Sequence, residues 1–84
     1  MNLIMSPQFL EDLRHFAEKD NRAAQKVLTL VEDVRRHPFE GMGKPEALKH
    51  FGGGVWSRRI TQEHRLVYRV EGEAVTLMQC RFHY

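Results

Sequence analysis

The residue types of this sequence best suited to chemistry are its arginines and histidines. Its second half carries Arg58, Arg59, Arg65, Arg69 and Arg81 together with His50, His64 and His83. A guanidinium is the side chain suited to bidentate contact with phosphate, and an imidazole can give or take a proton near neutral pH. Residues 1–42 hold six Lys/Arg against seven Asp/Glu, and residues 43–84 hold seven against four, so the positive charge gathers where the arginines are. The total of +2 is far below that of a DNA coat, and a solvated, slightly basic surface accounts for it on composition alone. Other constellations are weaker. Gly41-Met42-Gly43-Lys44 lacks the spacing and the following Ser/Thr of a phosphate loop. Cys80 and His83 are spaced like metal ligands but have no second pair nearby, so neither zinc nor any other metal or cofactor is expected. Cys80 alone is a poor candidate for a protease nucleophile.

The elements that must position these residues can be read from the pattern. Asn2 to Met5 is a short strand, and Ser6-Pro7 supplies an N-cap and a first helical position. Leu10, Leu13, Phe16 and Ala17 form the apolar stripe of a helix ending near Lys19-Asp20. Asp20 or Asn21 caps a second helix with the stripe Ala24, Val27, Leu28, Val31 and Val34, which Pro38 stops. Residues 39–45 read as a loop and Gly52 to Gly54 as a turn. Val55 to Thr61, Arg65 to Val70 and Ala74 to Phe82 read as strands, the last two joined by a three-residue turn, Glu71-Gly72-Glu73. The expectation is an α+β fold, with an N-terminal strand and two helices packed on one face of an antiparallel sheet.

Such a turn would pair Val70 with Ala74, Tyr68 with Thr76 and Leu66 with Met78, turning the even-numbered residues toward the helices. The opposite face would then hold Arg65, Val67 and Arg69 beside Val75, Leu77, Gln79, Arg81 and His83, a plausible cleft floor. Whether Arg58 or Arg59 joins it depends on the register of the Thr61 to His64 connection, because a one-residue slip exchanges faces; Arg59 is favoured.

At 84 residues and 42% hydrophobic content, one soluble domain spanning residues 1–84 is expected. No apolar run is long enough to span a membrane, and the N-terminus lacks the pattern of an export signal. The expected location is the cytoplasm.

The strings PFEGMGKPEALKH, WSRRITQEHRLVYRV and the terminal CRFHY resemble the YoeB toxins of the RelE/YoeB group of bacterial toxin–antitoxin systems, along the whole chain and most specifically in its second half. Two stretches depart from that pattern: Met5, where tryptophan is frequent, and Phe51-Gly52-Gly53, where an Asn-Leu-Ser-like stretch is usual. The resemblance implies a microbial RNase-like α+β fold and a ribosome-dependent endoribonuclease that cleaves mRNA in the A site and inhibits translation. It also implies a YefM-type antitoxin as partner, the 70S ribosome with mRNA as substrate, operator DNA reached only through the antitoxin complex, and scope for a homodimer. Carried over residue by residue, Glu46 is the general base, His83 the general acid, Arg65 the phosphate stabiliser and Tyr84 a residue shaping the site, while Lys49 and Arg59 assist with charge. Without a metal, such an enzyme can use the neighbouring 2′-OH as nucleophile, with a base for its proton, an acid for the departing 5′-oxygen and cations for the added charge.

Each residue has an ordinary reading beside this one. Glu46 could pair with Lys44 or Lys49 at the surface, Arg65 could pair with Glu63 or Glu73, and His83-Tyr84 could be a frayed end. Trp56 and Tyr68 read as core aromatics, and His15, His37, His50 and His64 as surface or supporting residues. The rival function is a noncatalytic RNA- or DNA-binding module using the same arginine face; a third is a protein-binding regulator. Only catalysis requires Glu46, Arg65 and His83 together.

Overall fold

A computed structural model describes residues 1–82 of the protein. Strand β1 (Asn2–Met5) leads into α1 (Pro7–Lys19) and α2 (Asn21–Arg36), followed by β2 (Glu46–Ala47), β3 (Val55–Arg59), β4 (Arg65–Glu71) and β5 (Ala74–Gln79). The five strands form one sheet in the order β1-β5-β4-β3-β2, with β1 parallel to β5 and the remaining pairs antiparallel. The expected α+β architecture is present, with a mixed sheet in place of a purely antiparallel one and an additional short strand, β2.

Local chemistry fixes the helix ends. The Ser6 hydroxyl accepts the Phe9 N–H at 3.1 Å and donates to the Met78 carbonyl at 2.8 Å, so the cap of α1 also ties it to β5. Asp20 closes one helix and opens the next: its N–H donates to the Phe16 carbonyl and its carboxylate accepts the Ala23 N–H. No loop is needed between them.

The helices cover one face of the sheet. Phe9, Phe16, Ala24, Val27, Leu30 and Val34 pack against Leu66, Tyr68, Val75, Leu77 and Cys80. Two expected stripes are rotated. Leu10 and Ala17 are exposed on α1, and Leu28 on α2, while Phe9 and Leu30 are buried in their place. The cause on α1 is Asp12, which is buried and accepts the Cys80 N–H at 3.0 Å, with Gln8 donating to its other oxygen at 2.8 Å. A carboxylate that satisfies the end of β5 must point inward, and it carries the helix face with it.

The pairing of β4 with β5 also differs from expectation. Their turn has two residues, Gly72 and Glu73, between the paired Glu71 and Ala74. Gly72 has φ 57°, a left-handed value suited to the first position of a two-residue hairpin. Val70 therefore lies opposite Val75 and Tyr68 opposite Leu77, so Val75 and Leu77 join the helix-side core instead of the open face. A bulge follows: Tyr68 pairs with Leu77 but Val67 pairs with Gln79, so Met78 is the extra residue. The bulge returns Gln79 to the open face. Strand β5 ends at Gln79, short of the expected Phe82.

Candidate active site

Strand parity separates two adjacent arginines. Arg58 pairs with Leu66 and faces the helices, whereas Arg59 pairs with Arg65 on the opposite, open face. Arg58 is fully buried. Its guanidinium donates to five acceptors: the Tyr68 hydroxyl at 3.1 Å, Asp33 Oδ2 at 2.5 Å, and the carbonyls of Met42 at 3.1 Å, Glu40 at 2.9 Å and His37. Tyr68 passes the network on by donating to the Pro38 carbonyl at 2.7 Å; burial pushes its hydroxyl up, keeping it a donor. The Met42 N–H and the Arg58 guanidinium hold the Asp33 carboxyl below its ordinary range.

This network anchors the loop that delivers Glu46. Residues 37–42 wrap around the buried guanidinium, Gly43 accepts the Arg59 N–H at 2.7 Å, and Glu46 and Ala47 then pair with Ser57 and Trp56. Gly41 has φ 117°, and a Cβ there would come within 2.2 Å of Asp33 Oδ2, so the turn needs glycine. Sequence reasoning did not identify Arg58, Asp33 or Gly41 as the supports of the site.

On the open face, paired residues define rows across the sheet. Glu46, Ser57, Val67 and Gln79 form one row, and Arg59 with Arg65 forms the next. Glu46 is thus two strands from Arg65 and one row away, about 10 Å across and about 7 Å along the sheet between backbones. Glutamate and arginine side chains can span that separation to meet over one phosphodiester. Glu46 and Arg59 are exposed and Arg65 is half-buried. Lys49 lies on a single 3₁₀ turn, Lys49–Phe51, and shares with Glu46 the lining of a depression of ≈ 300 Å³. Arg69 shares the open face with Arg65 by strand parity, as expected, and donates to the Phe51 carbonyl at 3.4 Å, which supports the turn that carries Lys49. Leu48, Val55, Val67 and Met78 form a small apolar cluster beneath this end of the face.

The remaining candidates are placed as follows. Arg81 lies beyond β5, its guanidinium 4.6 Å over the Phe82 ring. His83 and Tyr84, expected as acid and site-shaping residue, lie outside the described residues. Among the described residues, no group of three or more His, Cys, Asp or Glu could hold a metal ion. Cys80 is buried, and desolvation followed by the nearby Asp12 charge pushes its thiol up to about 12, which leaves no nucleophilic thiolate at neutral pH.

Residues 5–84 match the family of YoeB-like toxins of bacterial type II toxin-antitoxin systems. The chain belongs to that family. It is 50% identical to the toxin YoeB of Escherichia coli K12 over 84 residues, all of both chains. Among solved structures, it is similar to a YoeB/ParE toxin from Agrobacterium tumefaciens, with 44% identity, a TM-score of 0.93 and full coverage of both chains. It also resembles YoeB from Staphylococcus aureus, solved as a dimer (TM-score 0.90, 40% identity) and in a heterotetrameric YoeB-YefM complex (TM-score 0.86, 40% identity). Each comparison covers 100% of this chain and 98% of the other. In this YoeB-like toxin, Arg59 and Arg65 lie on the sheet face opposite the helices, with Glu46 paired in the neighbouring row. No helix among the described residues is long and apolar enough to cross a membrane.

Proposed function

We propose that this YoeB-like toxin is an endoribonuclease that cleaves mRNA in the ribosomal A site. The observation that carries the reading is the register placing Glu46, Arg59 and Arg65 in adjacent rows of one face, on three consecutive strands. Glu46 would take the proton of the 2′-OH preceding the scissile phosphate. Arg65, aided by Arg59 and Lys49, would stabilise the charge on the phosphorane, and His83 would protonate the departing 5′-oxygen, with Tyr84 packing the site around it. Attack of the 2′-oxygen on phosphorus forms one P–O bond as the bond to the 5′-oxygen breaks, leaving a 2′,3′-cyclic phosphate and a 5′-hydroxyl. The proton lost to Glu46 and the proton given by His83 balance the step. Because these groups supply base, acid and cation, the reaction is expected to need no metal ion held by the toxin.

Family membership supports a YefM-type antitoxin as the inhibitory partner, since related toxins are solved with YefM, and the solved dimer supports self-association. Operator DNA would be met through the antitoxin complex, and the cytoplasm is where this substrate resides. The alternative, a noncatalytic RNA- or DNA-binding module, would use the arginines of the same face but has no need of Glu46.

The test is cleavage of mRNA on programmed 70S ribosomes, with a single 2′-deoxy nucleotide placed before the mapped cut. Cutting of the all-ribose message and none of the substituted one is expected. Continued cutting would remove the 2′-OH as nucleophile, and no cutting of either would favour the binding module.

A further inference from the structure

The reaction proposed above needs its acid delivered by the last residues of the chain, and a clamp lies directly before them. Phe82 has φ 63°, a left-handed conformation that residues other than glycine rarely adopt. Both of its backbone groups are held by neighbours on one turn. Its N–H donates to His64 Nδ1 at 2.8 Å, and its carbonyl accepts the Arg65 N–H at 3.1 Å. The His64 ring is fixed from two sides, edge-on to Phe16 with centroids 5.0 Å apart and tilted against Phe82 at 5.4 Å. Its backbone is fixed as well. Thr61 Oγ1 accepts the N–H groups of Glu63 and His64 at 3.2 Å each, and the His64 carbonyl accepts those of Ile60 and Thr61 at 3.0 and 3.2 Å.

We infer that His64 is a positioning residue: its Nδ1 holds Phe82, the residue that precedes His83, in the left-handed turn. The inference rests on the reading of His83 as general acid. Arg65 follows His64 directly and contributes the second bond to Phe82 through its backbone, so one dipeptide carries the proposed phosphate-stabilising cation and also holds the residue that precedes the proposed acid. This arrangement explains a feature that packing alone does not. A phenylalanine at φ 63° in a terminal segment is maintained only where neighbouring bonds over-determine it, and the hydrogen bonds to His64 and Arg65 do so.

Two substitutions in the full chain separate the ring from its acceptor. His64→Asn puts an oxygen close to the position of Nδ1 and keeps the hydrogen bond to Phe82. His64→Phe keeps an aromatic ring against Phe16 but has no acceptor, which preserves packing and removes only the clamp. Three quantities are read for each: amide exchange at Phe82, binding to programmed ribosomes, and the single-turnover rate of mRNA cleavage. A small misplacement of a reacting group costs up to about 100-fold in rate. His64→Phe is therefore expected to lose Phe82 amide protection and about 10-fold to 100-fold in rate with unchanged ribosome binding, and His64→Asn to retain both protection and rate. The inference is overturned if His64→Phe keeps Phe82 protected, if it loses protection but cuts at the wild-type rate, or if His64→Asn falls as far as His64→Phe. A wild-type chain that cuts nothing would instead remove the acid reading of His83, a failure visible without either variant.

Discussion

Arg58 and Arg59 are neighbours of the same type with opposite fates. Arg58 points into the helix-side core, is fully buried and meets five acceptors. Arg59 points to the open face beside Arg65 and stays exposed. A desolvated guanidinium is tolerable only when paired and hydrogen-bonded, and then it locks whatever supplies its acceptors. Here it locks the 37–42 loop, and through that loop the placement of Glu46. The exposed arginine gains little from folding and, in the proposed reaction, would meet a phosphate. The charge that organises the site and the charge that would act in it are thus consecutive in sequence, separated only by strand alternation.

Breaking the pair one member at a time should show the largest contrast. Arg58→Met leaves the Asp33 carboxylate and three loop carbonyls without their donor; removing one partner of a buried pair costs about 3–5 kcal/mol, a large share of the stability of a small domain. Arg59→Met should change stability by less than about 0.5 kcal/mol, as surface substitutions do. Denaturant unfolding of the two variants checks this, and equal losses would dissolve the distinction. Next in size is Gly41→Ala. Its Cβ would collide with Asp33 Oδ2 and its φ of 117° disfavours any side chain, so a loss of about 1–3 kcal/mol is expected in the same measurement.

The ion pair also predicts a pH dependence. The Asp33 carboxyl is held below its ordinary range by the Met42 N–H and Arg58. A depressed folded value means the unfolded chain binds the proton more readily, so the contribution is fully present above the unfolded value of about 3.9 and is lost as pH falls through the lower folded value. Asp33→Asn should flatten this acid limb of the stability curve. Glu32 is lowered to about 2, first by its hydrogen bond to Arg35, yet it is solvent-exposed on α2, and Glu32→Gln should leave the limb nearly unchanged. Thermal midpoints measured across the acid range distinguish the two carboxylates.

The smallest effect belongs to Ser57, in the row between Glu46 and Val67. Its hydroxyl is buried and has no hydrogen-bond partner among the described residues. Ser57→Ala should therefore leave stability unchanged or raise it by up to about 1 kcal/mol, which a thermal melt would report. A clear loss would indicate that the hydroxyl has a structural partner in solution.

Much of this arrangement was legible in the sequence because it follows local rules. Ser6-Pro7 and Asp20 mark helix ends by their own capping chemistry, and alternation along β4 correctly separates Leu66 and Tyr68 from Arg65 and Val67. What was not legible depended on a single residue of register or on a distant partner. Reading the Glu71-Gly72-Glu73 turn as three residues put Val75 and Leu77 on the wrong face, and no local signal announces Met78 as the bulge. Asp12 reads as a solvent residue of α1 until the Cys80 N–H, 68 positions away, is found to need it. The open-face placement of Arg59 follows from the register, whereas the buried role of Arg58 requires knowing that Asp33 and the 37–42 loop fold over it.

The central claim is that the open face performs a reaction and does not merely bind RNA. Arg65 tests it most directly, because it is half-buried, opposite Arg59, and makes no ion pair among the described residues. The measurement is single-turnover mRNA cleavage by Arg65→Ala on programmed ribosomes, alongside its affinity for those ribosomes and its thermal midpoint. Loss of a cation that acts on the transition state should lower the rate by about 100-fold or more, with affinity reduced far less and the fold intact. A rate that falls only in proportion to affinity would contradict the account and leave a binding surface in its place.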